Sequence, residues 1–519
     1  MKRLLLLTLL LLYYCAPKEK VEVTPLSTEI EEKIAAADAL YRRGCYVPLR
    51  KAFLVYGEVY GQPGFKKRVA DKLAMTSLLI AVREKELGID NRSYMDVALE
   101  LIKENASLAG LLSYAEIAGL FWVQGKGVMR DIDEKVTWKE MQERLKTQEK
   151  LKKMETELRK RAQDDEFFAY MYAVMKCHFS SPFEKREDLA WLEAAFPDSL
   201  LIKYKMAICP EENEALLRPI LDEESEFFEV AYNLGNLSLG RGNLLEAESH
   251  LLRAHQGITE SPQITILLAS IYLALEELER SLDFYEKTLA IAPEYRDALL
   301  GKAICLSYAG RHDEAIPVLE KIIALGHWLI GESYYWLAWN QHELKKNDEA
   351  AENIEQAKSR LPTSSEVFTL SGIIALERGD LVKAEKDLKE ALEYNPANSE
   401  ALFNLGSLYA GKEDWQNSGA YFGKAAFAFE TDERALRAKI AEAEKSALSP
   451  ERKEKFLRKK RVQLERTAIS RATAFYNAAA GYLNAGQKPK ALEMATKAAD
   501  HPSFKEKAEE LISRVKTLR

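Results

Sequence analysis

One spacing constrains this chain more than any other feature. Small residues stand at Gly235, Ala269, Ala303, Ala338, Gly372 and Gly406, at steps of 34, 34, 35, 34 and 34 residues. Twelve residues after each comes another small or compact one, Ala247, Ser281, Ala315, Ala350, Ala384 and Ser418. Seven further on lie Ala254, Thr288, Ile322, Ala357, Ala391 and Ala425. Bulky side chains fall between them: Leu234, Leu268, Leu337 and Leu405 in the first stretch, then Leu251, Tyr285, Leu319, Ile354, Leu388 and Phe422 in the second. Pro293, Pro362 and Pro396 stop the second stretch, because proline lacks an N–H and clashes with the preceding helical turn. Gly242, Gly310 and Gly379 sit between the two stretches, where a tight turn needs a permissive backbone. Each unit is therefore two short helices whose axes approach at the small positions. One such pair cannot bury its own apolar surface, so the next must stack upon it.

The pattern resembles the tetratricopeptide repeat. Large residue, Leu-Gly, Tyr, Gly, Ala, Phe and Ala recur at that family's offsets in "FNLGSLYAGKEDWQNSGAYFGKA" (Phe403 to Ala425) and again in "FTLSGIIALERGDLVKAEKDLKEALEYNP" (Phe368 to Pro396). Six tandem copies cover residues 228–432, and a seventh, "FYNAAAGYLNAGQKPKALEMATKAA" (Phe475 to Ala499), lies in 472–519 with a capping helix after it. The resemblance implies an all-α fold, a right-handed superhelical solenoid of helix hairpins. Lys302 and Ser371 depart from the pattern and predict looser stacking in the third and fifth copies, and the fourth is longer by one residue near His327. Upstream, residues 29–227 read as degenerate helical repeats, with an unrelated helical domain as the alternative. Two charged helical segments interrupt the array: Glu134 to Arg161, and residues 433–471 as a long insertion.

The first fifteen residues have a charged start, Met1-Lys2-Arg3, and a short apolar run that ends at Cys15. This order is that of a secretory signal, and it resembles the bacterial lipoprotein signal, in which the cysteine carries lipid. Tyr14 departs from the small residue that such a signal places there. Residues 16–28 read as a polar tether. The expectation is an exported lipoprotein, facing the periplasm or held at the outer membrane, with lipid on Cys15 as its contact with the membrane. Of the other cysteines, Cys45, Cys177, Cys209 and Cys305 fit neither a zinc nor a redox spacing and read as buried free thiols, with a Cys177–Cys209 bridge as the alternative.

A net charge of -7 argues against a nucleic-acid binder. The basic run Arg458-Lys459-Lys460-Arg461 is interleaved with acids and reads as a solvated helix face. The histidines His178, His250, His255, His312, His327, His342 and His501 show no metal-ligand spacing. "GLFWVQGKG" (Gly119 to Gly127) fails as a phosphate loop by its spacing and by Gly127. The sequence thus predicts no catalysis, metal or cofactor, and points to a surface that binds protein or peptide segments.

In the family, residues two, five, six, nine and twelve of each copy line the concave groove. The resemblance carries that role to Tyr232, Asn233 and Asn236 in the first copy and to Tyr335, Trp336, Trp339 and His342 in the fourth. It carries it also to Phe403 and Asn404 in the sixth, and to Tyr476 and Asn477 in the last. Position two holds Glu229, Gln263, Asp297, Glu332, Glu366 and Glu400, an acidic rim with no basic set to clamp a carboxylate. The predicted function is a non-catalytic adaptor at the bacterial cell envelope. Its rivals are an envelope lipoprotein that captures a small molecule or glycan for a transporter, and an enzyme with its site in the N-terminal half.

Overall fold

A computed structural model describes residues 25–105, 108, 111, 155–179, 185–209, 212–326 and 329–517. Cys15, the loop Gly119 to Gly127, His327 and most of the segment Glu134 to Arg161 lie outside these residues. Every regular element among the described residues is helical. The chain forms two compact units, Met1–Leu268 and Ala269–Arg519.

The first unit holds α1 (Pro25–Arg42), α2 (Tyr46–Tyr60), α3 (Lys66–Glu86), α4 (Ser93–Glu104), α5 (Glu166–Phe179), α6 (Lys185–Ala195), α7 (Leu200–Ala207), α8 (Glu214–Glu223), α9 (Phe228–Gly240) and α10 (Leu244–Gly257). Helix α1 starts at Pro25, so the last residues of the expected tether belong to the folded body. Helices α9 and α10 form the first repeat, yet they lie in this unit and not with the later copies. Polar contacts tie α9 and the turns that flank this pair to upstream helices. Glu229 accepts a hydrogen bond from the Tyr46 amide at 2.8 Å and lies 3.9 Å from Arg83 Nε. Arg43 binds Glu224 in a fork, at 2.6 and 2.7 Å. Ser261 Oγ donates to the Leu87 carbonyl at 2.6 Å. Cys177 and Cys209 are joined as a disulfide, with Cα atoms 5.8 Å apart, which corrects the reading of these two as free thiols. Cys45 and Cys305 are free and buried, as expected.

Helix α11 (Pro262–Ala274) contains the boundary between the units. The second unit continues with α12 (Leu278–Ile291), α13 (Arg296–Tyr308), α14 (His312–Leu325), α15 (Ile330–Glu343), α16 (Asn347–Arg360), α17 (Ser365–Glu377), α18 (Leu381–Tyr394) and α19 (Ser399–Gly411). From α12 to α19 each helix packs on its successor, and α13, α15, α17 and α19 also touch one another in that order. That is the contact pattern of a solenoid built from hairpins. The 34-residue period recurs in its caps: Ser364 and Asn398 accept the amides of Val367 and Ala401, and Asp380 and Asp414 those of Lys383 and Asn417.

The small positions are where the two helices of a pair meet. A Cβ on Gly372 would stand 2.5 Å from Leu388 Cγ, and one on Gly406 would stand 2.7 Å from Phe422 Cγ. Where the partner position is serine, its hydroxyl bonds across the pair, Ser281 to the Ala269 carbonyl at 2.8 Å and Ser418 to the Gly406 carbonyl at 3.0 Å. Ser371 does not loosen the fifth copy. It donates to buried Asp387 at 2.7 Å, and Lys358 pairs with the same carboxylate at 2.8 Å. The turns hold a further departure. Gly310 and Gly379 take positive φ, but so do Glu276, Lys345 and Glu413 at the equivalent places, with φ of 57, 61 and 57°.

The expected insertion at 433–471 is the elongation of two repeat helices. Helix α20 (Trp415–Lys445) is the second helix of the sixth copy prolonged to 31 residues, and α21 (Pro450–Asn484), with 35, runs back into the seventh. Helices α22 (Lys488–Ala499) and α23 (Lys505–Thr517) complete that copy and cap it. Near its start α21 reaches the turn between α11 and α12. Arg452 Nε donates to Glu277 at 2.6 Å, Lys459 donates to the Glu276 carbonyl at 2.6 Å, and Lys460, itself buried, pairs with the Glu276 carboxylate. The basic run is therefore not a free solvated face: half of it is tied to a turn about 180 residues away in sequence. No helix among the described residues is long and apolar enough to cross a membrane.

Candidate functional site

Helix α15 carries the densest group of predicted groove residues. Positions five and six each lie about one helical turn before position nine, so the side chain at nine meets both. The structure brings Tyr335, Trp336 and Trp339 together: the Tyr335 and Trp336 rings lie 5.5 Å apart and the Trp336 and Trp339 rings 5.7 Å apart, both edge to face. Two residues that the repeat offsets did not flag extend the ladder. Tyr308, at the end of α13, meets Trp336 at 5.5 Å, and His312, at the start of α14, meets Trp339 at 5.4 Å. Tyr308 is 59% exposed, whereas Tyr335, Trp336 and Trp339 are half-buried. An aromatic residue one place after the groove offset, next to tryptophans of the following copy, was the signal that could have revealed Tyr308.

The acidic rim is real at this end of the array. Burial, together with the negative charges of Glu400 and Glu366, pushes the Tyr335 hydroxyl up to about 12. Both carboxylates are exposed. His342, the remaining candidate on α15, is 12% exposed and sits 3.2 Å from the Glu377 carboxylate, so it is engaged with α17.

The other candidates separate. On α19, Phe403 packs against Phe422 at 5.1 Å, and Asn404 donates its amide to the Glu400 carbonyl of its own helix at 2.9 Å. On α21, Tyr476 lies 5.9 Å from Phe504, and Asn477 is half-buried. Tyr232, Asn233 and Asn236 belong to the first unit, where they line a cavity of about 300 Å³. Asn233 is buried and its Nδ2 donates to the Tyr204 hydroxyl at 3.0 Å, so that amide is spent inside the fold and not on an open groove. Tyr232 donates to Gln263 at 3.0 Å.

Position two likewise has two fates. Glu229 is buried, and burial raises its carboxyl to about 7 against the opposing pull of Arg83. Arg83 is itself fully buried, its guanidinium 4.0 Å from the Tyr204 ring centre. Beside it Glu84, also raised to about 7 by burial, accepts from Tyr46 at 3.0 Å and from Asn91 at 3.2 Å.

Comparison with known proteins accords with this geometry. A tetratricopeptide repeat profile matches residues 266–327 and 369–433, and a second one matches 331–362. Human protein O-mannosyl-transferase TMTC1 is 25% identical over 217 residues, 41% of this chain and 24% of that protein. Human tetratricopeptide repeat protein 6 is 25% identical over 187 residues, 29% of this chain and 36% of that protein. The chain thus spans between about a quarter and little more than a third of the length of these curated relatives. Among solved structures, PilF of Pseudomonas aeruginosa is similar with a TM-score of 0.35 and 20% identity, over 38% of this chain and 88% of that one. Residues 266–327, 331–362 and 369–433 are tetratricopeptide repeats, and the aromatic ladder of α15 stands among them.

Proposed function

We propose that this protein is a non-catalytic scaffold that binds a partner segment along the repeat helices of its second unit, on the face that carries Tyr308, Tyr335, Trp336 and Trp339. The observation that carries this reading is the aromatic ladder itself. Large rings held half-buried beside exposed Glu366 and Glu400 offer apolar contact area with a rim that attracts basic residues. The matching segment is an extended or helical stretch with apolar anchors and some lysine or arginine.

The reading includes export and a lipid tether at Cys15, at the bacterial cell envelope. The Cys177–Cys209 disulfide supports export, since disulfides persist in oxidising compartments. The test is titration of a partner recovered by crosslinking in intact cells. Trp339→Ala is expected to weaken binding by about 2 kcal/mol or more with helicity intact, and Glu366→Ala to alter mainly salt dependence and association rate. Unchanged affinity for Trp339→Ala removes the site from α15. Cys15→Ser is expected to move the protein into the soluble fraction, and continued dependence on detergent would contradict lipid at that residue.

A further inference from the structure

The cavity of the first unit carries both signs of charge on its wall. Lys205, on α7, has only 2% of its side chain exposed and donates to Glu86 Oε1 at 2.6 Å. An ammonium has three donors, so this bond leaves two more for a guest. Glu86 is shared: Arg83 Nη1 lies 3.4 Å from its other oxygen. Arg83, also buried, lies 3.9 Å from the Glu229 carboxylate as well. Burial lowers the Lys205 ammonium against the opposing pull of Glu86, and a carboxylate placed at its open donors would favour the charged form.

Glu212, on the same wall, makes no hydrogen bond or ion pair with the described residues, and burial raises its carboxyl above the usual range. A carboxylate so placed is poised for a cationic donor. The same wall holds two asparagines one helical turn apart, Asn233 and Asn236. Asn233 has given its Nδ2 to Tyr204, and among the described residues the amide of Asn236 makes no hydrogen bond, so both can serve a guest. At about 300 Å³ the cavity is at the small end of ligand sites, room for one molecule of amino-acid size.

We propose that this cavity binds a zwitterion, the ammonium and carboxylate of an amino acid, with its carboxylate at Lys205, its ammonium at Glu212, and Asn233 and Asn236 as further hydrogen-bonding groups. A free amino acid carries both charges on one carbon, whereas a peptide terminus presents only one of them, and the experiment separates the two.

The full chain is titrated calorimetrically with the free amino acids, with the N-acetyl and the amide derivative of any that binds, and with tripeptides that present the same residue at either end. At least one amino acid is expected to bind below about 1 mM, with acetylation and amidation each weakening it about tenfold or more, as loss of a charge-assisted bond implies. Binding by tripeptides alone, lost on blocking one charged terminus, overturns the zwitterion and assigns the site to a single peptide end. Glu212→Gln is expected to weaken binding about tenfold or more and to leave the melting temperature unchanged. Because Lys205 is structural as well, Asn236→Ala serves as the second variant, weakening the same ligand without loss of helicity. The proposal is overturned if no amino acid or tripeptide binds at about 10 mM, if blocked derivatives bind as well as the free zwitterion, or if both variants bind like the parent.

Discussion

Gly372→Ala tests the packing rule on which the repeat fold rests. In a helix interior this substitution gains about 1 kcal/mol, since alanine loses less backbone freedom on folding than glycine. Here the new Cβ would lie 2.5 Å from Leu388 Cγ, 2.8 Å from its Cδ2 and 3.3 Å from its backbone nitrogen. Leu388 is fully buried among Ala384, Ala391 and Leu405, so it cannot swing aside and the two helices must part. Overpacking of this kind costs about 1–3 kcal/mol, which outweighs or cancels the gain. Gly411, the last residue of α19, is the control, because a Cβ there meets nothing within 4 Å. Its change to alanine is expected to stabilise by about 0.4–1 kcal/mol. Urea unfolding followed by circular dichroism should therefore place the midpoint of Gly372→Ala below that of Gly411→Ala by the equivalent of about 1–3 kcal/mol, with Gly372→Leu lower still. Equal midpoints for the two alanine variants would refute the assignment of Gly372 as an axis contact.

Three further outcomes follow from the geometry. The disulfide closes a loop with a sequence separation of 32, for which chain entropy gives about 3.7 kcal/mol; the Cys177→Ala, Cys209→Ala double variant should lose stability on that scale, and reductant should destabilise the parent but not the variant. Glu229 has a folded pKa of about 7, above the unfolded value of about 4.3. Its contribution is fully present below the unfolded value and is lost as pH rises through about 7. The melting temperature of the parent should thus fall between about pH 4 and 7, and Glu229→Gln, which still accepts from the Tyr46 amide, should flatten that slope. Lys460→Glu places a carboxylate against Glu276, so hydrogen exchange should rise at residues 275–279 and 450–460 together; unchanged protection at both would show that the α21 contact carries no free energy.

The repeat period and the helix pairs were legible because they rest on local spacing. A residue that must be small where two helices cross recurs every 34 positions, and caps and prolines mark the ends from within a few residues. The same rule brought Tyr335, Trp336 and Trp339 to one face. What the period could not tell is which neighbours each copy meets. Glu229 and Glu366 occupy the same offset, yet the first is buried against Arg83 and Tyr46 and the second stands in solvent. Glu276, Lys345 and Glu413 adopt the turn conformation that glycine takes in the other copies, since stacking on both sides fixes the turn regardless of residue. Cys177 met Cys209, and Lys460 met Glu276, only once the helices between them had packed. A periodic sequence specifies the contacts that every repeat shares; those made once, across tens or hundreds of residues, depend on where the whole stack carries each side chain, and only the tertiary structure decides them.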